Sequence, residues 1–593
     1  MTKPAKQAIK KRQIFMTPES IINPEQKHSS ESPVRVYPMG FIPEVKRTLI
    51  EFADQELMRL KGASEVGEQL RSAVEKLNLG ESELHDFLEK VRQLDELVKD
   101  GEPALRKEKE FITHALRTDE ELAVIFARVS RTPGAFEELA RTVTEEGAGQ
   151  FHKQWTVSIE GYGHASVAEH AVIHLAVENV PSLDGDVITD NRLAAYTEFS
   201  ARFRGPQGVG YFTPESVERN SSLLNRWQEV HGLLFQTHDA LVEKGLAYID
   251  TEEAREKHPA RRVNIKTVSD QFKNLMPASR LTNIGVTMNA REAENAIRKM
   301  LSSPYPSVQN LGALFKEQAL RVSPTLVRYA EKNEYLVMAR QGIGKIAESE
   351  KYKGYIPEIK EEGQLVDLID FDRRADEKFI AAALYSASET GSFRELLGQI
   401  EKEMDEAQKR EKVEILLGGL DRWDVPIREL EMPGDYLVEF PGMTYGDWRE
   451  YKRHRMQSYI VKDFDVKWGF MIPPLAPEMD ESKDPQFHGC TQMIKRAMGE
   501  VEKLFTEVSR VDPRAAHYAV TRLHYRPAIA KFNIREAYHL INLRTGSGAH
   551  PFIRRLMWPL LEEIKEVQPI LMDYLRLKMQ KTRRPAKDFP WSL

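Results

Sequence analysis

The chain repeats itself. Asn289-Ala-Arg291-Glu292-Ala293-Glu-Asn295-Ala-Ile297 returns as Asn533-Ile-Arg535-Glu536-Ala537-Tyr-His539-Leu-Ile541, with five of nine positions agreeing at an offset of 244. Val322-Ser-Pro324-Thr-Leu326 returns as Val567-Gln-Pro569-Ile-Leu571 at an offset of 245. Short matches arise by chance, but two at nearly one spacing point to tandem copies of one unit. Ala171–Val177 and Tyr436–Phe440 read as strands. Both copies close on long helical patterns. The expected architecture is therefore α+β, two tandem domains of one kind.

Composition shifts place the boundaries. Residues 1–45, rich in Pro, Ser, Lys and Glu, read as a disordered basic tail without the apolar stretch of a secretory signal. Residues 46–110 read as a helical extension, with Leu70, Leu77, Leu84, Leu88, Leu94 and Leu97 near helical spacing. Copy one is expected over 111–335 and copy two over 375–593. The charged, Gly-bearing stretch 336–374 (Gly342, Gly344, Gly354, Gly363) is expected to link them.

With 85 Lys and Arg against 91 Asp and Glu, the formal charge is −6. That argues against a general nucleic-acid coat but allows a local basic pocket for a phosphate. No apolar run approaches the length of a membrane span. The single cysteine, Cys490, excludes a disulfide or a thiolate zinc site within the chain and points to a reducing compartment, the cytoplasm.

Four constellations carry polar chemistry. In Gly163-His164-Ala-Ser166-Val-Ala-Glu169-His170, a short helix starting near Ser166 would aim its first amides at an anion. His170 and His174 lie four apart, but no thiolate or carboxylate completes a metal spacing, and no metal is expected. In Arg192-Leu-Ala-Ala-Tyr-Thr-Glu198-Phe-Ser200-Ala-Arg202-Phe203, alternation puts Glu198, Ser200 and Arg202 on one side of an extended segment. A carboxylate, a hydroxyl and a guanidinium there suit a nucleotide monophosphate; a surface strand with a salt bridge is the ordinary alternative. Tyr451-Lys452-Arg453-His454-Arg455-Met-Gln-Ser458 could hold phosphate or be a solvated basic turn. In the repeated helix, Arg291 and Asn295 share a face, as do Arg535 and His539, and Arg544 follows.

Taken together, these blocks resemble the flavin-dependent thymidylate synthase family. That family carries Gly-His-x-Ser/Thr-x-x-Glu-His, then Arg-His-Arg-x-x-Ser-x-Asn-Glu-x-Ser-x-Arg-Tyr, then Asn-x-Arg, Leu-Arg and an Ala-Gln-x-Glu-Ile-Arg helix. Residues 163–203 and 273–310 match in copy one, and 422–468 and 517–556 in copy two. The losses are complementary. Copy one has Asp190-Asn191-Arg192 for Arg-His-Arg, with Ala195 and Thr197 for the signature's Ser and Asn, yet keeps Glu198, Ser200 and Arg202. Copy two keeps Arg453-His454-Arg455 and Ser458, but has Val461, Asp463 and Asp465 for Glu, Ser and Arg. Its Glu-His block has become Glu429-Leu430, while Ala549-His550-Pro-Phe-Ile-Arg554 stays close to the family's helix.

The resemblance implies FAD-dependent reductive methylation of dUMP to dTMP, with methylenetetrahydrofolate and NADPH as co-substrates, at one composite site between the copies. It implies Arg544 as the catalytic residue. Glu198, Ser200, Arg202, Lys273 and Arg453 would hold the substrate. His164, Ser166, Arg453, His454, Arg455, Asn289, Arg291 and Asn295 would hold FAD, with Asn533, Arg535 and His539 as a weaker second flavin site. It implies a homodimer, four copies in all, with no membrane or nucleic-acid partner. Cys490 lacks the neighbours of the other thymidylate synthase class and is expected to be structural. The alternatives are flavin-dependent modification of another pyrimidine nucleotide, or a nucleotide binder without activity.

Overall fold

A computed structural model describes residues 34–38, 118–129, 139, 143, 145–152, 165–199, 210–258, 265–327, 329–348, 365–387, 391–421, 424–546 and 548–575. The fold is α+β and built twice. Copy one contains β1 (Arg35–Pro38), β2 (Val172–Pro181), α1 (Ser182–Ile188), β3 (Ala194–Glu198), α2 (Ser221–Ile249), β4 (Leu281–Asn289), α3 (Ala290–Leu301) and α4 (Pro306–Val322). A further helix, α5 (Glu334–Ala347), follows. Copy two contains β5 (Asp367–Asp370), β6 (Tyr436–Phe440), α6 (Tyr445–Tyr451), β7 (Ser458–Val461), α7 (Cys490–Ser509), β8 (Ala528–Phe532), α8 (Ile534–Thr545) and α9 (Pro551–Val567). The antiparallel sheets have matching orders, β1-β2-β4-β3 and β5-β6-β8-β7.

Strand register gives the correspondence residue by residue. Gly285 pairs with Ala176 on one side and Thr197 on the other. Its counterpart Ile529, at the repeat offset of 244, pairs with Glu439 and Ile460. Thr197 therefore corresponds to Ile460, Glu198 to Val461 and Ala195 to Ser458.

Each repeated helix starts directly off a strand, and its asparagine explains how. Asn289 is the N-cap of α3 in extended backbone, its side chain accepting the Glu292 amide at 2.8 Å. Asn533 does the same for α8, accepting the Glu536 amide at 2.9 Å. The cap satisfies an amide that has no partner within the helix. Asn289 was expected to hold cofactor; its side-chain oxygen makes this cap.

One hydrophobic core runs through both copies, from Trp227, Phe272 and Phe315 to Tyr436, Phe440, Phe532 and Phe552. The long helices α2 and α7 pack against each other, with Arg226 ion-paired to Glu500. Between the copies, Ala278 N donates to Val520 O (2.8 Å), Ser279 N to Tyr518 O (2.9 Å) and Arg522 N to Met276 O (3.1 Å). The bridge at the centre joins Pro277 to Thr521, residues 244 apart. A residue paired with its own repeat equivalent marks a local two-fold axis, the geometry of an isologous interface.

Several expectations need correction. Arg35–Pro38, expected within the disordered tail, forms the edge strand β1 against β2 and buries Val36. Four residues carry no readable periodicity, and only their partner strand makes them a strand. The expected linker 336–374 holds most of α5 and all of β5, so the second sheet starts at Asp367. His174 lies in β2 and bonds Thr287, whereas His170 follows a 3-10 turn, so the two share no helix face. The 46–110 extension lies outside the described residues. Among the described residues no helix is long and apolar enough to cross a membrane.

Replacing either cap, by Asn289→Ala or Asn533→Ala, should lower the unfolding free energy by about 1 kcal/mol. Denaturant unfolding of each variant measures it. Unchanged midpoints would show that the caps do not hold these helices.

Candidate active site

Helix α6 opens with a reciprocal cap: Asp447 N donates to Thr444 Oγ1 (3.1 Å) and Thr444 N to Asp447 Oδ2 (2.9 Å). The helix carries Arg449, with Lys452 and Arg453 just beyond it, toward copy one. Buried cations need carboxylate partners, and copy one supplies them. Arg449 reaches Glu198 at 2.9 Å and Asp186 at 3.0 Å. Lys452 reaches the same Asp186 oxygen at 2.5 Å. Arg453 takes the second Glu198 oxygen at 3.1 Å. Burial opposes ionisation of Glu198, but Arg449, Lys452, Arg453 and Arg522 win and bring its pKa down to about 2.

Arg544, in the last turn of α8, lies on the other side of the Arg453 segment. Its Nε donates to His454 Nε2 at 2.8 Å, and its Nη1 to Glu450 at 2.9 Å. Because Nε2 accepts, the His454 proton sits on Nδ1, which faces Glu536 at 3.2 Å. Burial first, then the Arg544 charge, holds His454 well below its ordinary pKa, so it stays neutral. Glu450 is pushed up by burial but brought down to about 2 by Arg453, Lys273, Arg544 and His550. Lys273 comes from copy one, where it is buried against Asp270 at 3.2 Å.

Of the residues read as substrate-binding or catalytic, the structure thus gathers Glu198, Arg453, Lys273 and Arg544 around α6. Ser200, Arg202 and His164 lie outside the described residues. Among the expected cofactor residues, Arg455 is exposed and donates to the carbonyls of Arg192 (3.2 Å) and Ala194. Ala194 pairs with Met288, beside the start of α3. Arg291 is exposed at that start and pairs with Glu169 at 2.5 Å, in the 3-10 turn that carries exposed Ser166. Asn295 is exposed one turn along α3. His454 departs from the expectation of cofactor contact. It is buried, both ring nitrogens face protein partners, and it positions Arg544.

At the reciprocal location the polar groups of the two copies have protein partners. Asp190 accepts from Tyr459, and Lys299 binds the Asp190 carbonyl and Asn191. Asp463 pairs with Arg514 at 2.9 Å and Asp465 with Lys467 at 2.8 Å. Cys490 is a buried helix-start thiol donating to Phe487 O at 3.1 Å, and burial pushes its pKa up to about 11. That suits a structural thiol, not a nucleophile.

Sequence reasoning missed Arg449, Glu450 and Asp186, and gave Lys452 and Glu536 no role of their own. Arg449 was findable, one helical turn before Arg453 and so on the same face. Asp186 was not, because nothing in its neighbourhood signals a partner 263 residues away.

Glu198 is more acidic folded (about 2) than in its ordinary state (4.5). Its stabilisation is therefore complete above pH 4.5 and is lost as pH falls toward 2. Glu198→Gln should cost about 3–5 kcal/mol at pH 7, the penalty for stranding buried cations, and should flatten the pH dependence of stability across that window. Equal stability of variant and parent at pH 7 would contradict the network.

The family model described as thymidylate synthase complementing protein matches residues 111–325 and 367–570, well over half of the chain. A UPF0159 protein of Chlamydia muridarum is 22% identical over 434 residues, covering 70% of this chain and 79% of the relative. A UPF0159 protein of Thermoplasma acidophilum is 22% identical over 450 residues, covering 70% and 86%. A flavin-dependent thymidylate synthase of Sulfolobus acidocaldarius is 26% identical over 219 residues, covering 36% of this chain and 73% of its own. With the family's model matched once per sheet, the chain belongs to the thymidylate synthase complementing protein family as a tandem duplicate.

Proposed function

We propose that this is a cytoplasmic, FAD-dependent thymidylate synthase that converts dUMP to dTMP with methylenetetrahydrofolate and NADPH, at one composite site between its copies. The observation that carries the reading is the Glu198–Arg453 contact. It joins the half-set kept by copy one to the half-set kept by copy two. The similarity to flavin-dependent thymidylate synthases supports the flavin and the nucleotide.

The exposed groups at the start of α3 suit FAD. Arg455 and Arg291 present guanidiniums fit for a diphosphate, while Asn295 and Ser166 offer neutral donors and acceptors. The second cleft, of about 620 Å³, is lined by Asn533, Arg535 and His539 but also by Asp421, Asp424 and Glu431. Arg535 is paired with Glu431 there, as Arg291 is with Glu169, but that cleft sets the carboxylates of Asp421, Asp424 and Glu431 against one guanidinium. That donor set suits a diphosphate poorly, so we assign the flavin to the α3 side.

Bound FAD would supply the hydride chemistry. The protein's part is positioning and charge. Lys273 and Arg453, with Arg202, would hold the phosphate by charge-assisted bonds. Arg544, kept cationic beside a neutral His454, would stabilise negative charge developing on the uracil ring. Its fixed orientation between His454 and Glu450 means no reorganisation is needed when that charge appears.

The purified chain should be yellow with flavin absorbance bands, and product analysis with dUMP, methylenetetrahydrofolate and NADPH should show dTMP. Flavin without dTMP would favour another pyrimidine substrate, and a colourless protein that cannot be reconstituted would favour a binder. Arg544→Ala and Arg202→Ala should each abolish turnover while flavin absorbance persists; activity surviving either change would reject the composite site. Four copies in all also imply a homodimer. Light scattering should give twice the 68.1 kDa chain mass, and a monomeric mass would contradict it.

A further inference from the structure

Each cation at this site already has an acid. Lys273 is paired with Asp270 at 3.2 Å, Arg453 with Glu198 at 3.1 Å and Arg544 with Glu450 at 2.9 Å. Glu198 is shared with Arg449 at 2.9 Å, so the acids offset only part of the positive charge. The acids differ in where they sit. The Asp270 and Glu198 side chains are 4% and 6% exposed, whereas Glu450 is 18% exposed. Asp270 lies under Lys273, and Glu198 is clamped between Arg449 and Arg453. Glu450 is the most accessible of the three to an incoming anion.

We propose that Glu450 is a specificity-determining residue. By offsetting the Arg544 charge it weakens the site's hold on free inorganic phosphate and favours a phosphate that comes with a nucleoside. The proposal rests on the nucleotide reading above and deepens it. A bare phosphate approaching Lys273, Arg453 and Arg544 meets cations that each already have a carboxylate partner, and in Glu450 it meets a like charge in a poorly screened site. Its binding is therefore weak. A nucleotide overcomes the same repulsion with contacts that phosphate lacks: base and sugar burial, and the Arg544 guanidinium facing the ring. Selectivity then comes from a built-in repulsion, not from an added attraction.

Glu450→Gln keeps the shape and removes the charge. Calorimetric titration of the full-length protein at fixed ionic strength, with inorganic phosphate and separately with dUMP, tests the idea. Phosphate should bind the variant at least about tenfold more tightly than the parent, as expected for removing one like charge at contact range. The gain for dUMP should be smaller, so the preference for nucleotide over phosphate shrinks. Glu450→Asp, which keeps the charge, should behave like the parent. Unchanged phosphate affinity in Glu450→Gln, or equal gains for both ligands, would overturn the proposal. If the variant is too unstable for titration, its melting temperature decides. An overcharged cage should be restored by an anion, so phosphate should raise the melting temperature of Glu450→Gln well beyond its effect on the parent. No such difference would overturn the proposal as well. Failure of the parent to bind dUMP is a separate outcome. It would sink the nucleotide reading, while the phosphate comparison would still decide the role of Glu450.

Discussion

Helix α6 buries cations that its own copy cannot neutralise, and everything around the site depends on that. Arg449 and Lys452 are almost fully enclosed, and their carboxylates, Glu198 and Asp186, come from copy one. An enclosed guanidinium without a partner is far too unfavourable to tolerate. The copies are therefore bound by charge as well as by their continuous core. The same pairs place Arg453 over β3 and leave Arg544 facing α6. Holding the two sheets together and assembling the site are one set of contacts.

The local two-fold axis through Pro277 and Thr521 would create two such places if the copies were identical. They are not, and the differences have a physical direction. Where copy two offers Arg453, His454 and Arg455, copy one offers the Glu198 carboxylate. At the mirror position, Asp190 accepts from Tyr459, and the acids Asp463 and Asp465 follow Val461. Those acids have found Arg514 and Lys467. Tyr305 bonds His517 nearby, at 2.7 Å. Duplication in one chain allows this specialisation, because each copy always meets the other and never itself at that contact.

Arg544, the residue proposed as catalytic, is held in place on two sides. Two acceptors of different kinds hold its guanidinium, a neutral imidazole and a carboxylate. The imidazole is kept neutral by burial and by the arginine itself, and its remaining proton faces Glu536. Glu536 belongs to the repeated helix whose N-cap is Asn533. A residue of the repeat that reads as structural thus reaches the site through one histidine.

The sequence alone determined the duplication, the α+β class, Cys490 as structural and the complementary loss of polar groups. Repeats, alternation and family spacing are local in the chain, so they survive as pattern. Glu198 and Arg453 were legible for the same reason, since each lies in a motif of its own. What only the tertiary structure decided were the pairings across the axis: Asp186 with Lys452 and Arg449, Glu450 with Arg544, and Lys273 in the same cage. Partners that lie hundreds of residues apart leave no periodic trace. The short edge strand Arg35–Pro38 belongs with them, as it is a strand only because β2 lies beside it. Likewise, the asparagines of the repeat looked like ligand contacts until the strand-to-helix junction showed that each holds the first turn of its own helix. The physical reason is common to all. Charge and hydrogen-bond satisfaction are settled by proximity in space, and a chain records that proximity only where the partners are also neighbours in sequence.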